Sequence, residues 1–205
     1  MSADSAGAPV LAARSLCLER GGRELFHDLS FDICAGQLWQ IEGANGAGKT
    51  SLLRILCGLS RYGFDGQVER HVPLLYLGHQ SALKALLTPR ENLAFHVSGD
   101  SRYEDEKIES ALSRVGLYGY EDVASHTLSA GQHRRVNLAR LLLSDAPLWL
   151  LDEPFTAIDK AGVEELEALL VSQVAAGGSV VMTSHQTLNV DCDVRFLNLT
   201  TGLVA

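Results

Sequence analysis

The sequence predicts an α/β fold with a mostly parallel sheet, an N-terminal antiparallel β subdomain and an inserted α-helical subdomain. Apolar stretches at residues 148–151 and 179–182 have the length and composition of strands buried on both faces, which is typical of parallel sheets. Apolar residues alternate at residues 16–18, 25–26 and 29–33, which indicates a small antiparallel sheet. Between residues 81 and 143 the apolar spacing is helical.

The elements before residue 80 follow from apolar spacing and turn residues. Residues 37–42 are predicted to form a short strand, and residues 61–66 to turn the chain before a core strand at residues 72–77. A helix is predicted over residues 49–59, because its apolar residues recur every three or four positions. These residues are Leu52, Leu53, Ile55, Leu56 and Leu59.

After residue 80 the spacing predicts helices first and then alternating strands and helices. In the helix over residues 132–144, apolar side chains are expected to face the core, whereas Arg134 and Arg135 remain for solvent or phosphate contacts. The predicted helices cover residues 90–97, 103–115, 132–144 and 164–174, and the predicted strands cover residues 148–151, 179–182 and 194–199.

A glycine-rich loop between the strand at 37–42 and the helix at 49–59 fits the phosphate-binding pattern G-x-x-x-x-G-K-[ST]. Its backbone N–H groups and the helix N-terminus favour an anion, Lys49 would reach the outer phosphates, and Thr50 would place its hydroxyl on Mg²⁺. A dinucleotide-binding loop fits less well, since Ser51 stands where the third glycine should be. The loop consists of Gly43, Ala44, Asn45, Gly46, Ala47, Gly48, Lys49 and Thr50.

Two acidic residues follow the buried strand at 148–151. Asp152 and Glu153 emerge at the C-terminal end of that strand, where open α/β sheets bind their ligands. Asp152 is the expected partner of Mg²⁺, and Glu153 is the expected general base for the attacking water. With the upstream loop, this pair indicates an ATP-hydrolysing protein.

Four further motifs complete a recognisable set and make the chain resemble the nucleotide-binding subunits of ABC transporters over its whole length. The resemblance implies the ABC ATPase fold, with a P-loop NTPase core, as a single ATP-binding domain over residues 1–205 with a helical subdomain at about residues 81–145. The motifs are the Q-loop residue Gln80, the signature Leu128, Ser129, Ala130, Gly131 and Gln132, the D-loop Thr156, Ala157, Ile158 and Asp159, and the switch histidine His185.

The resemblance assigns roles to these residues. The expected catalytic residues are Glu153, His185 and Lys49. The expected Mg²⁺ ligands, or residues that contact such ligands, are Thr50, Gln80 and Asp152. The signature completes the ATP site of a facing subunit, so a second copy of the chain is the expected partner in a head-to-tail dimer. ATP binding is expected at Gly43, Ala44, Asn45, Gly46, Ala47, Gly48, Lys49, Thr50, Ser51, Ser129, Gly131, Gln132 and Arg20.

The sequence departs from the family pattern at two of these positions. Arg20 occupies the place of an aromatic residue that stacks on adenine, and a guanidinium stacks less specifically, which leaves base selectivity open. Ala130 replaces the first glycine of the usual signature, and a positive φ at this alanine would be strained.

A narrower resemblance links the residues from Asp152 to Asp159 and around His185 to the ATP-binding subunits of haem exporters in bacterial cytochrome c maturation. It implies integral membrane subunits as partners, release of a haem-loaded chaperone on hydrolysis, and no direct haem binding. The alternatives are an ATPase for another transported substrate, or an ATP-gated switch without transport. Intact Lys49, Asp152, Glu153 and His185 argue against the switch.

Composition agrees with a peripheral ATPase. The net charge of −8 argues against a nucleic-acid-binding surface, so no nucleic acid is expected as a partner. No apolar run reaches the roughly 18 residues needed to span a bilayer, and the N-terminus has no secretory pattern. The expected location is the cytoplasmic side of the inner (plasma) membrane, reached through a partner. The four cysteines lack metal or haem-attachment spacing and are expected to be reduced core thiols.

Overall fold

The computed structural model describes residues 8–96, 105–199 and 203–204. The chain divides into two compact units. The core unit comprises Met1–His79, Ala146–Pro154 and Glu167–Ala205, and the helical unit comprises Gln80–Asp145 and Phe155–Leu166. The expectation of a single domain with a helical subdomain at about residues 81–145 stays a prediction.

The described residues form nine strands and five α-helices. The strands are β1 (Pro9–Arg20), β2 (Arg23–Cys34), β3 (Leu38–Glu42), β4 (Asp65–Arg70), β5 (Leu74–Leu77), β6 (Leu148–Asp152), β7 (Ser179–Thr183), β8 (Val194–Asn198) and β9 (Leu203–Val204). The helices are α1 (Lys49–Leu56), α2 (Pro89–His96), α3 (Asp105–Arg114), α4 (Ala130–Leu142) and α5 (Lys160–Ala175).

A six-stranded sheet forms the centre of the core unit, with the strand order β5-β6-β7-β3-β8-β9. All neighbouring strands are parallel except β8 and β9. Every residue of β6 and β7 is buried, as expected for central strands covered on both faces. The predicted mostly parallel sheet is therefore confirmed, and its parallel strands direct their C-terminal ends to one edge.

The predicted antiparallel sheet is also confirmed, but it has a strand that the sequence analysis missed. Its order is β2-β1-β4, and β4 begins at Asp65, inside the segment predicted as a turn. Only Val68 of β4 is partly buried, so this edge strand has almost no apolar periodicity. A Cβ at Gly66 would come within 2.5 Å of the carbonyl oxygens of Arg14 and Ser15, so only glycine fits this pairing.

Helix α1 ends three residues earlier than the apolar spacing predicts. The N–H of Gly58 bonds to the carbonyl of Ile55, and Gly58 has a φ of +81°, so the chain leaves the helix there. Arg70 of β4 donates to the carbonyls of Ile55 and Leu56, both at 2.6 Å, and satisfies the C-terminal end of α1. Leu59, which was expected on the buried face, is 61% exposed.

The helical unit packs α2, α3 and α4 around its own apolar cluster. The spacing argument located these helices to within three residues; Val97, Tyr103 and Glu104 of the predicted helices lie outside the described residues. One expectation was wrong: Arg134 is only 7% exposed and does not face solvent. The buried cluster consists of Leu93, Ile108, Ala111, Leu112, Leu117, Leu128, Val136, Ala139 and Leu143.

The cysteines only partly match the expectation of core thiols. All four are free, but only Cys34 is buried, whereas Cys17, Cys57 and Cys192 are partly exposed. No disulfide is formed among these four cysteines. No helix among the described residues is both long and apolar enough to cross a membrane.

Candidate active site

The glycine-rich loop joins β3 to α1 at the C-terminal edge of the parallel sheet. Gly48 precedes α1 with a φ of +100°, and a Cβ there would lie 3.3 Å from side-chain atoms of Leu25 and Phe26. Lys49 is only 8% exposed, and its ammonium donates to the carbonyl of Gly43 at 2.8 Å. The Lys49 side chain thus reaches back across the loop to Gly43, the first residue of the loop.

Thr50 and Asp152 meet at the same edge. The hydroxyl of Thr50 donates to Oδ1 of Asp152 at 3.1 Å, although the two residues are 102 positions apart in the chain. The contact arises because α1 begins and β6 ends beside each other. Asp152 is buried, with 1% of its surface exposed, so its carboxylate relies on protein donors in place of bulk water.

These oxygen atoms suit Mg²⁺. This ion prefers hard oxygen ligands, keeps several of its waters and takes only one or two protein groups, so a threonine hydroxyl beside a carboxylate is an adequate donor set. Within residues 8–96 and 105–199, no group of three or more His, Cys, Asp or Glu side chains is arranged to hold a metal ion. The Thr50 hydroxyl and the Asp152 carboxylate fit the few protein ligands that Mg²⁺ takes when it also binds a phosphate.

Glu153 and His185 lie next to this pair. Nε2 of His185 is 3.4 Å from Oε1 of Glu153 and 3.3 Å from Nζ of Lys49. Glu153 has a left-handed backbone, with a φ of +50°, which is uncommon for a residue with a side chain and costs on the order of 1–2 kcal/mol. This conformation turns the chain sharply at the end of β6.

The pKa of Tyr76 reflects its burial and the negative charge beside it. Burial, and after it the negative charge of Asp152, raises the pKa of its phenol to about 12. The phenol is therefore neutral at physiological pH. Tyr76 lies on β5, the neighbour of β6, and places an uncharged polar group near Asp152.

Thr183 is a residue of this cluster that the sequence analysis missed. It is fully buried at the end of β7, and its hydroxyl donates to Oδ1 of Asp152 at 2.8 Å. The hydroxyl oxygen of Thr183 also accepts the backbone N–H of Glu153 at 2.8 Å. The sequence shows only that a polar residue follows the apolar stretch at 179–182; the position of Thr183 beside Asp152 follows from the pairing of β7 with β6.

In the helical unit, Ser129 caps the N-terminus of α4. Its Oγ accepts the N–H of Gln132 at 3.2 Å, and Oε1 of Gln132 accepts the N–H of Ser129 at 2.8 Å. This capping box occupies two donors of the helix end, which leaves the first-turn N–H groups of Ala130 and Gly131 without intrahelical acceptors. Ala130 is not among the described residues with positive φ, so the strain considered for this alanine does not arise.

The D-loop packs against the start of α4 inside the helical unit. A Cβ at Gly131 would lie 3.1 Å from the carbonyl oxygen of Ala157, so the loop approaches too closely for a larger residue without adjustment. Nη2 of Arg135 contacts Oδ2 of Asp159 at 2.8 Å. The hydrogen bond from the N–H of Gly162, followed by the charge of Arg135, holds the pKa of the Asp159 carboxyl below its usual value.

The structure thus brings together five of the predicted residues. They are Lys49, Thr50, Asp152, Glu153 and His185, joined by the distances given above. Gln80 is exposed and belongs to the helical unit together with Ser129, Gly131 and Gln132. Arg20 is the exposed last residue of β1 and pairs with Arg23 across the hairpin. The catalytic and ligand-binding roles expected for all the residues named in this paragraph stay predictions.

Comparison with known proteins gives consistent matches. The family model for ABC transporters matches residues 26–156. The chain is 52% identical to the cytochrome c biogenesis ATP-binding export protein CcmA of Yersinia pestis bv. Antiqua, covering 87% of each chain. It is 50% identical to the protein of the same name from Methylococcus capsulatus, covering 94% of this chain and 98% of that one.

Solved structures share the fold at low identity. The ATP-binding subunit of an ABC transporter superposes with a TM-score of 0.82 at 21% identity, covering 96% of this chain and 89% of that chain. A dimeric, post-hydrolysis ATP-binding cassette bound to ADP and Pi superposes with a TM-score of 0.78 at 23% identity, covering 92% and 93%. The predicted fold class is thereby confirmed.

Proposed function

This chain belongs to the ABC transporter family, and from that premise we propose that it is the ATP-hydrolysing subunit of a membrane complex for cytochrome c maturation. The observation that carries the proposal is the cluster at the sheet edge, where one imidazole lies within 3.4 Å of a carboxylate and 3.3 Å of a lysine ammonium. Hydrolysis of ATP uses a cation that binds phosphate and a base that activates water. Lys49 and Glu153 are suited to these two tasks, and His185 lies between them.

The mechanism follows from the positions of these side chains. Lys49 exchanges the carbonyl of Gly43 for the outer phosphates of ATP, helped by the N–H groups at the start of α1. Glu153 accepts a proton from the attacking water, an effect worth roughly 10²–10⁴-fold in rate. His185 holds the carboxylate and the water in line with the outermost phosphate.

Mg²⁺ belongs to this mechanism through Thr50 and Asp152. When bound, the ion neutralises charge on the phosphates. Thr50 supplies a hydroxyl oxygen, and Asp152 orients that hydroxyl and the waters around the ion. Gln80 is proposed to contact the same water shell from the Q-loop.

The working unit is proposed to contain two copies of the chain. The sequence has one phosphate loop and one signature, and in a head-to-tail dimer Ser129, Gly131 and Gln132 of one copy would complete the ATP site of the other. The N–H groups of Ala130 and Gly131 at the start of α4 supply the donors for such a contact. Arg20 is proposed to stack on the base.

The chain is proposed to lie on the cytoplasmic side of the inner (plasma) membrane as a peripheral subunit, bound to integral membrane subunits that complete the complex. The proposed motor frees a haem-loaded chaperone from its membrane partners when ATP is hydrolysed, and the chain itself does not bind haem. This part of the proposal is supported by the 48–52% identity to cytochrome c biogenesis ATP-binding export proteins.

A strain carrying Lys49→Ala tests this proposal in the cell. We expect loss of c-type cytochromes, normal b-type cytochromes and accumulation of haem-loaded chaperone on its membrane partners. Lys160→Ala is the matched control, because the side chain of Lys160 is 92% exposed and pairs with Glu164 on its own helix. Normal c-type cytochromes with an inactive Lys49→Ala protein present would contradict the haem pathway and favour another transported substrate.

A further inference from the structure

The hydroxyl of Thr183 joins the two acidic residues at the end of β6. It donates its single proton to Oδ1 of Asp152 at 2.8 Å and accepts the N–H of Glu153 at 2.8 Å. The parallel pairing of β6 with β7 places Thr183 directly beside Asp152. Both residues are buried, with exposed fractions of 0% and 1%, so water does not compete for these hydrogen bonds.

This geometry has a direct consequence for the backbone of Glu153. Its φ of +50° is unfavourable for a residue with a Cβ and persists only where the surroundings hold it. The hydrogen bond from its N–H to Thr183 is such a restraint, and it sets the direction in which the Glu153 side chain leaves the strand. The donated proton at the same time sets the orientation of the Asp152 carboxylate, which also accepts from Thr50 at 3.1 Å.

We infer that Thr183 is a positioning residue for hydrolysis, which couples the carboxylate on the Mg²⁺ side of the site to the carboxylate that accepts the proton from water. This inference rests on the proposed function. Thr183 acts through Asp152 and Glu153, the two residues to which its hydroxyl is hydrogen-bonded. Its loss should therefore affect turnover and the response to Mg²⁺ more than it affects the binding of ATP.

Thr183→Val is the decisive variant, because valine has nearly the same shape and lacks only the hydroxyl. Hydrogen bonds to charged or buried groups are strong enough that we expect kcat to fall about tenfold to hundredfold. The Mg²⁺ concentration for half-maximal activity should rise several-fold, since Asp152 loses a donor that orients it. The Kd of ATP measured without Mg²⁺ should stay within about twofold. Thr183→Ser keeps the hydroxyl and should restore most of kcat.

Ser179 provides a matched control on the same strand. It is also fully buried, and its Oγ donates at 2.8 Å to the carbonyl of Cys34, far from the acidic residues. Ser179→Ala therefore removes a buried hydroxyl bond of the same length at the other end of β7. We expect it to lower the melting temperature as Thr183→Val does, but to leave kcat and the Mg²⁺ response unchanged.

The outcomes separate this inference from the proposed function. If Thr183→Val lowers stability like Ser179→Ala and retains kcat and the Mg²⁺ response, while Glu153→Gln is inactive, the positioning role is wrong and the proposed function stands. If Glu153→Gln retains activity, the proposed function itself is wrong. Should Thr183→Val not fold, Thr183→Cys replaces it as a weak donor of similar size, and a kcat equal to that of Thr183→Ser would overturn the inference.

Discussion

Nε2 of His185 lies 3.4 Å from Oε1 of Glu153. The same nitrogen lies 3.3 Å from Nζ of Lys49, and in the neutral ring it either donates to the carboxylate or accepts from the ammonium, according to the tautomer. The imidazole of His185 can therefore hydrogen-bond either to Lys49, the proposed phosphate-binding group, or to Glu153, the proposed base for water. This relationship makes His185 the centre of the proposed reaction geometry.

His185→Ala should lower kcat about tenfold to hundredfold while leaving the Kd of ATP within about twofold, because Glu153 loses an orienting contact. Steady-state hydrolysis and equilibrium nucleotide binding measure the two effects. His27→Ala is the control, since the exposed side chain of His27 forms a comparable 3.4 Å pair with that of Glu24 on β2. Equal activities of the two variants would exclude the role of His185.

Ser129→Arg should prevent two copies from closing around ATP without preventing each copy from binding it. The specific activity of the wild-type chain should rise with protein concentration, because in the proposed dimer each ATP site is completed by the signature of the other copy. Ser113→Arg, on the exposed surface of α3, adds the same side chain elsewhere and should behave as wild type. Activity per chain that stays constant on dilution below the dimer dissociation constant would argue against a shared site.

Asn92→Ala should destabilise the helical unit by about 2–4 kcal/mol, since a buried amide with several partners is lost. Asn92 is 1% exposed; its Oδ1 accepts the N–H of Lys84, and its Nδ2 donates to the Thr88 carbonyl and to Oγ of Ser125. Urea unfolding gives the change in free energy. The exposed Asn189→Ala serves as control, and equal unfolding midpoints for both variants would show that the Asn92 contacts contribute nothing.

Asp159→Asn should lower the melting temperature at pH 7, and this difference should disappear once the pH is below the pKa of Asp159 in the folded chain. The pKa of Asp159 is lowered in the folded chain by the Gly162 N–H and by Arg135, so its stabilisation is complete above the unfolded pKa near 4 and is lost as the pH falls through the lower, folded pKa. Asparagine can still cap α5, which isolates the charge. Asp145→Asn is the control; a difference independent of pH would refute the electrostatic explanation.

Apolar spacing was sufficient to predict the elements that are buried on both faces. Strands β6 and β7 and helix α4 were located to within about two residues, because their burial leaves continuous or periodic apolar sequence. Strand β4 was missed because it is a polar edge strand whose pairing with β1 depends on the backbone of Gly66. Arg134 was misplaced because its burial comes from the packing of the helical unit, which helical periodicity alone does not reveal.

The candidate site was likewise predicted only in part from the sequence. Lys49, Thr50, Asp152 and Glu153 were predicted to share one edge because the ends of parallel strands meet there, and their contacts agree with that argument. Thr183 and the left-handed backbone of Glu153 were not predicted. Both depend on the register between β6 and β7, a tertiary relationship that local sequence patterns do not encode.

ATP hydrolysis by Glu153→Gln tests the central claim most directly. The amide keeps the size of the side chain but cannot accept the proton from water, so kcat should fall at least about a hundredfold while the affinity for ATP is retained and a closed dimer accumulates on size-exclusion chromatography with ATP. Glu167→Gln is the control, because Glu167 is a buried glutamate whose Oε1 accepts the N–H of Asn189 outside the site. Turnover by Glu153→Gln close to that of the wild type and of Glu167→Gln would contradict the account.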